Sequence, residues 1–321
     1  MNIYEQPIGY IIQYPIFEEL ANTQMDTFWS WKEPLVENDV PDLKVNLTKA
    51  ELHGIVTVLK LFTLYELEIG SNYWADRIGK VFKRPEIQRM CTMFAATEYN
   101  SHAPFYNEIN RVLFLNTPEF YSSYKEIEQL NSRIEFINKA VSSKNDLISI
   151  AAFSLIEGAV LYSSFAFIKH FQAQRYNKNL IKNICRGVDL SVADEDLHSI
   201  GGATLFNTII KEQGEFPEYL VSDIYKMAGE ILEHETGIID IMYAEGDIPS
   251  LSKEALLNFV KHRINTVLVR LGLEAVYTVD NQEIEEWFYD SVSSVKLHDF
   301  FSGSGSEYNI NWKRSSFGEV W

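Results

Sequence analysis

The stretch Asp194-Glu195-Asp196-Leu197-His198, read together with Glu98-Tyr99-Asn100-Ser101-His102, decides the fold of this chain. Positions three or four apart share one face of a helix. Each stretch therefore aims a carboxylate and an imidazole in the same direction, about one turn apart. Carboxylate oxygens combined with imidazole nitrogens suit iron or manganese better than zinc, which prefers sulfur and nitrogen in closed sites. One such pair arises by chance on many solvated helix faces. Two pairs, each inside a long apolar helical pattern, call for a common explanation.

Two further glutamates complete the set. Glu157 lies in Ala151-Ala152-Phe153-Ser154-Leu155-Ile156-Glu157-Gly158-Ala159-Val160-Leu161, with no basic residue near it in sequence. A buried unpaired carboxylate is costly and takes up a proton unless something compensates its charge. By itself, Glu157 is as readily a protonated or lysine-paired core residue. Glu66 sits in another apolar helical run, and Glu68, two positions on, competes with it. The spacing from Gly70 and the partners Leu61 and Phe62 favour Glu66. One Glu from each of two helices, with a Glu/His pair from each of two others, is the donor pattern of di-metal carboxylate bundles. The bland alternatives are a solvated face for Glu195/His198, crowded by Asp194 and Asp196, and a surface pair for Glu98/His102. All of these holding at once is improbable. His53, His170, His234, His262 and His298 lack a comparable apolar setting and read as surface or structural.

Composition limits the other possibilities. The 321 residues can bury a large core, and nothing reads as an internal linker. Lys+Arg of 28 against Asp+Glu of 45 gives a net charge of -17. That disfavours nucleic acid and anionic membrane surfaces, which are held through basic side chains. Cys91 and Cys185 make neither a metal spacing nor a disulfide framework. Residues Met1 to Tyr14 lack a basic region followed by an apolar core, and no uncharged apolar run reaches membrane-spanning length. The expectation is a cytoplasmic protein with no nucleic-acid or membrane partner.

Along the chain, residues 1–45 read as an irregular arm, because Pro7, Pro15, Pro34 and Pro41 interrupt any long helix. Helical periodicity begins after Asn46 or Thr48, either a plausible N-cap, and runs to about Phe82. Pro85 opens the helix that carries Glu98 and His102. Further helices are expected near 117–143, 146–174, 178–212, 217–244, 251–273 and 283–292. No alternating strand pattern and no solenoid repeat is present. The fold class is all-α: one bundle domain over 1–301 with additional helices, and a Gly/Ser-rich flexible tail over 302–321.

Pro104, two residues after His102, removes the bond to the Asn100 carbonyl and must distort that turn. A widened turn there accommodates the four-residue step from Glu98 to His102, where Glu195 to His198 steps three. Tyr106 follows His102 by four and lies one turn along the same face. A phenol beside a high-valent metal pair can be oxidised to a radical, and Leu161 and Phe165 would line that face with unreactive groups. Tyr99 and Tyr162 are the alternative positions for such a radical.

The ordered set Glu66, Glu98/His102, Tyr106, Glu157 and Asp194-Glu195-x-x-His198 resembles the small, radical-generating subunit of class I ribonucleotide reductase, and the resemblance runs from about Phe28 onward. It departs from that family in having Glu66 where Asp is usual, and in the extra residue between Glu98 and His102. His102-Ala103-Pro104-Phe105-Tyr106 is similar to forms in bacterial and phage members. Phe28-Trp29 resembles the family's N-terminal Phe-Trp, which implies an electron path from Trp29 through Asp194 and His102, with Trp31 as competitor. The resemblance implies a ferritin-like bundle holding two transition-metal ions per chain, an iron pair first, with a manganese pair or a manganese-iron pair as alternatives. It implies oxidation of Tyr106 by O2 or an activated oxidant, and a relay through Tyr308 in the tail to a large catalytic subunit that reduces ribonucleotides. A homodimer and an activating flavoprotein belong to the same expectation. The rivals are a stand-alone di-metal oxidase, which has no need of Trp29, Asp194 and an aromatic tail, and a metal-storage protein, which has no reason to place Tyr106 beside metals.

Overall fold

The computed structural model describes residues 2–289, and among these there is no strand. Thirteen α-helical segments occur in the order α1 (Pro15–Thr27), α2 (Lys49–Leu67), α3 (Gly79–Val81), α4 (Pro85–Thr97), α5 (Ala103–Val112), α6 (Pro118–Ser122), α7 (Glu128–Ser142), α8 (Asp146–Leu155), α9 (Tyr162–Lys169), α10 (Lys182–Gln213), α11 (Glu218–Met242), α12 (Lys253–Arg270) and α13 (Glu285–Phe288). Local chemistry sets the starts. Thr48 and Glu51 make a reciprocal capping box at α2, and the side chains of Asn145 and Ser252 cap α8 and α12. Pro85 and Pro118 occupy the first turn, where a missing N–H costs little. Gly214, at φ +78°, ends α10 in the left-handed conformation that glycine adopts without strain.

The centre of the bundle is α8, α9 and α10, with α2 and α4–α5 packed around them. Residues Asp146–Lys169 run as one helix, long and apolar enough to cross a membrane, but 94% of its apolar window is buried inside the protein. It is therefore the core helix. Its approach to α10 is close. A Cβ on Gly202 would fall 2.5 Å from Ser154 Oγ, and one on Gly187 would fall 2.2 Å from the Phe105 ring. Glycines that lower helix propensity in α10 are thus the points where neighbouring helices touch it.

Three differences from the sequence reading stand out. The N-terminal arm 1–45 is not irregular throughout: α1 spans Pro15–Thr27 and packs on α4 and α10. Pro15 sits at its first turn, so the proline taken as a breaker starts a helix. The helix expected from 178 begins at Lys182, because Asn177, Asn179 and Ile181 all have positive φ. His170 has an apolar setting after all: it is buried against Phe171 at 4.0 Å and Phe167 at 5.4 Å between ring centroids.

Burial pushes His170 down from 6.5 to about 4, with its Nδ1–H donated to the Phe167 carbonyl and Nε2 unpartnered. An unfolded chain takes up this proton near pH 6.5, but the folded one resists it to about pH 4. Stability is then whole above pH 6.5 and falls by about 3 kcal/mol as the pH drops to about 4. His170→Phe should flatten that part of the denaturant-midpoint profile. An unchanged profile would assign the acid sensitivity elsewhere.

Candidate metal centre

Four helical stretches deliver the candidate ligands. Glu66 ends α2, Glu98 and His102 bracket a widened turn between α4 and α5, Glu157 lies in a second widened turn between α8 and α9, and Glu195 and His198 lie on α10. The turn Glu98–His102 is a π-helical turn in which the Ala103 N–H reaches back to the Glu98 carbonyl. Its extra residue sets the four-residue step to the same direction as the three-residue step on the regular α10.

All six side chains are fully buried. Their ligand atoms fall into two overlapping groups: Glu66, Glu98, His102 and Glu195, and Glu98, Glu157, Glu195 and His198, with atoms inside each group within 4.8 Å of one another. Glu98 spans the pair. Its Oε2 is 2.9 Å from His102 Nδ1, and its Oε1 is 2.9 Å from His198 Nδ1. Glu195 does the same at 3.3 and 3.7 Å. Both oxygens of Glu66, Glu98 and Glu195, one of Glu157, and the Nδ1 atoms of both histidines have no hydrogen-bond partner. Buried polar atoms are rarely left so. Converging carboxylate oxygens and imidazole nitrogens with unspent lone pairs fit two metal ions.

The outer nitrogens of the imidazoles are spoken for. Asp194 Oδ2 lies 3.0 Å from His102 Nε2 and accepts the Trp29 indole N–H at 2.7 Å. Gln24 donates to Asp194 Oδ1 at 2.8 Å, and its Oε1 lies 3.0 Å from His198 Nε2. A carboxylate only accepts, so the Gln24 oxygen faces His198, whose Nε2 then carries the proton. Both imidazoles are held with Nδ1 turned to the cluster. Asp194 thus stands behind the ligands, and Trp29, not the half-buried Trp31, contacts it. Ser101 fixes the Trp29 backbone, donating to its carbonyl at 2.5 Å.

Charge is shared out within the cluster. Burial, and then the Glu98 charge, push Glu66 well above the usual carboxylate range; burial and Glu195 do the same to Glu157. Burial would also raise Glu98, but His102 outweighs it and holds Glu98 low. Burial would lower His198, yet Glu195 and Glu98 push it up to about 9; His102 is likewise raised, chiefly by Glu98 against the pull of burial. Without metal, the shifts favour the charged form of Glu98 and Glu195 beside the two imidazoles and the neutral form of Glu66 and Glu157. Divalent cations bound there then displace protons from the cluster. Calorimetric titrations in buffers of different ionisation enthalpy should show that release, with affinity rising as pH rises. Binding without proton release would contradict this charge arrangement.

The remaining expected residues divide. Tyr106 is fully buried, its ring 4.5 Å from Phe62 and 5.0 Å from Phe105, and its hydroxyl has no hydrogen-bond partner. Phe165 packs on Phe62, one ring removed from Tyr106. Burial, then the charge of Glu66, keep the phenol well above its ordinary value. Glu68 turns outward and accepts from Asn72. Tyr99 is 42% exposed, and Tyr162 lies under the Arg263 guanidinium at 3.8 Å. Tyr308 and the tail from 302 lie outside the described residues. Gln24 and Trp74, which donates to Glu157 Oε1 at 2.7 Å, were not anticipated, because their partners are 83 or more positions away in sequence.

A family model described as "Ribonucleotide reductase, small chain" matches residues 10–284. The probable ribonucleoside-diphosphate reductase small subunit 048L of Invertebrate iridescent virus 3 is 24% identical over 319 residues, covering 92% of this chain and 82% of that protein. Ribonucleoside-diphosphate reductase subunit beta nrdF2 of Mycobacterium tuberculosis is 24% identical over 295 residues, covering 88% and 86%. The structure of dimanganese(II)-NrdF from Streptococcus sanguinis shares the fold, with a TM-score of 0.76 at 19% identity over 91% of this chain and 99% of that one.

Proposed function

The chain belongs to the ribonucleotide reductase small-chain family, and from that premise we propose that it is the radical-generating small subunit of a class I ribonucleoside-diphosphate reductase. The observation that carries the reading is the convergence of six unsatisfied donor groups from four helices, with the buried phenol of Tyr106 one turn beyond His102. Glu66, Glu98, His102, Glu157, Glu195 and His198 would hold two transition-metal ions, an iron pair before a manganese or mixed pair. When bound, these ions supply the oxidising equivalent through reaction with O2 or an activated oxidant, the latter delivered by a flavoprotein.

The chain's own residues do the rest. Tyr106 would give up an electron to the oxidised metal pair and its phenolic proton to a carboxylate of the cluster, Glu66 being the one whose charge acts on it most, and the aromatic wall of Phe62, Phe105 and Phe165 keeps water from the product. Trp29 and Asp194 form a hydrogen-bonded path that starts at the ligand His102. From there the oxidising equivalent passes to Tyr308 and on to a large catalytic subunit, which the tail over 302–321 docks. The body over 1–301 is a single domain that pairs with a second copy of itself. A stand-alone oxidase or a metal store makes no use of the Trp29–Asp194–His102 path.

Tyr106→Phe tests the assignment. After aerobic reconstitution it should hold the same two metal ions per chain as the parent and lose the tyrosyl EPR signal. A signal surviving unchanged would move the radical to another tyrosine, Tyr99 or Tyr162, of which Tyr162 is buried.

A further inference from the structure

Glu157 is the candidate ligand most firmly held by groups that carry no ligand themselves. Trp74, on the π-helical stretch Glu68–Ile78 that follows α2, donates its indole N–H to Glu157 Oε1 at 2.7 Å. Both residues are fully buried. The indole cannot swing: it meets Phe94 edge-on at 4.9 Å, Tyr73 at 4.8 Å and His198 at 6.1 Å. The backbone beside Glu157 is equally constrained. A Cβ on Gly158 would sit 2.4 Å from both Ser199 Oγ and Val267 Cγ2, and the Gly158 carbonyl accepts the Arg263 Nε–H at 2.9 Å. With Oε1 engaged by the indole, Oε2 is the oxygen without a partner.

We infer that Trp74 is the positioning residue for the metal site formed by Glu98, Glu157, Glu195 and His198, and that its indole N–H, by taking one lone pair of Oε1, fixes the direction from which Glu157 faces that site. The inference rests on reading the cluster as a metal centre. An indole N–H is a donor only, so it favours the ionised, ligating carboxylate and offers nothing to a carboxyl proton. Groups that orient a ligand in this way typically change metal affinity 10–100-fold. The site built on Glu66 has no contact with Trp74 and its own support in Asp194 and Trp29. The effect of Trp74 is therefore confined to one of the two sites.

Titrating metal-free protein with Mn(II), and following free Mn(II) by its solution EPR signal, tests this directly. The parent should bind two equivalents. Trp74→Phe, which keeps the ring and removes the donor, should weaken one equivalent roughly 10–100-fold and leave the other within about twofold. In a Glu157→Ala background the same change should have no further effect. Both equivalents unchanged, or both weakened alike, would overturn the inference; a parent that binds no Mn(II) would overturn the metal-centre reading instead. Should Trp74→Phe fail to fold, the parent still decides the matter. Of its six indoles labelled with 15N, those of Trp29 and Trp74 should shift as Zn(II) fills the centre, with Trp29 identified through Trp29→Phe. If Trp29 alone responds, the indole of Trp74 does not report on the site and the inference fails.

Discussion

Replacing Glu98 with alanine should remove both metal ions, not one. Its two oxygens each lie 2.9 Å from a different imidazole Nδ1, and it belongs to both four-residue groups. Glu66 and Glu157 belong to one group each. Losing an oxygen donor from both sites at once should lower affinity by more than the roughly 10–100-fold typical of losing a supporting group. It also leaves His102 Nδ1 with only Glu195 and Glu66, and His198 Nδ1 with only Glu195 and Glu157, as facing carboxylates. Metal analysis after reconstitution and desalting should find less than one ion per chain in Glu98→Ala, against about one in Glu66→Ala and about two in the parent. Retention of one tightly bound ion in Glu98→Ala would mean that Glu98 does not bridge.

The second large effect runs the other way. Glu66→Leu should make the metal-free protein more stable than the parent, by about 1–3 kcal/mol, the cost of a buried polar group left without a hydrogen bond. Glu66 is fully buried, neither of its oxygens has a hydrogen-bond partner, and both burial and Glu98 disfavour its charge. Nothing is orphaned when it goes, unlike Glu157, whose loss would strand the Trp74 indole. Thermal midpoints should rise by a few degrees without metal. With metal the order should reverse. Each filled site contributes about 4 kcal/mol when free metal is a thousandfold above the dissociation constant, and the variant loses one. A metal-free variant less stable than the parent would show that Glu66 has a structural role the contacts do not reveal.

These expectations differ in how much of them could be read from the chain. The bundle and the six candidate ligands were legible because each ligand sits on a strongly apolar helical pattern, and because the two Glu/His pairs repeat one geometry. Glu66 was separated from Glu68 by its spacing from Gly70 and its apolar neighbours, and the two do face opposite ways. Helix α1 was hidden because four prolines suggest a broken chain, although a proline at the first turn costs a helix little. With α1 went Gln24, the residue joining Asp194 to His198. Trp74 was invisible for another reason. Its role depends on an indole meeting a carboxylate 83 positions away, and local periodicity carries no information about which helices will touch.

The π-helical turns change what kind of variation the site can bear. A substitution inside Glu98–His102 alters one side chain and leaves the path of the helix alone. Deleting one residue between Glu98 and His102 would restore a regular helix with the three-residue step seen from Glu195 to His198, so the imidazole would keep its direction. The π-helical turn absorbs the added residue, and everything after it, Tyr106 included, keeps the face it presents to the bundle. A one-residue insertion between Glu195 and His198 on the regular α10 would, by contrast, swing His198 by about 100° unless a π-helical turn formed there too. Libraries built only of point substitutions therefore explore the strength of this centre and never its geometry. Single-residue insertions into the regular helix between Glu195 and His198 are the changes that would reshape it, or dissolve it, at a stroke.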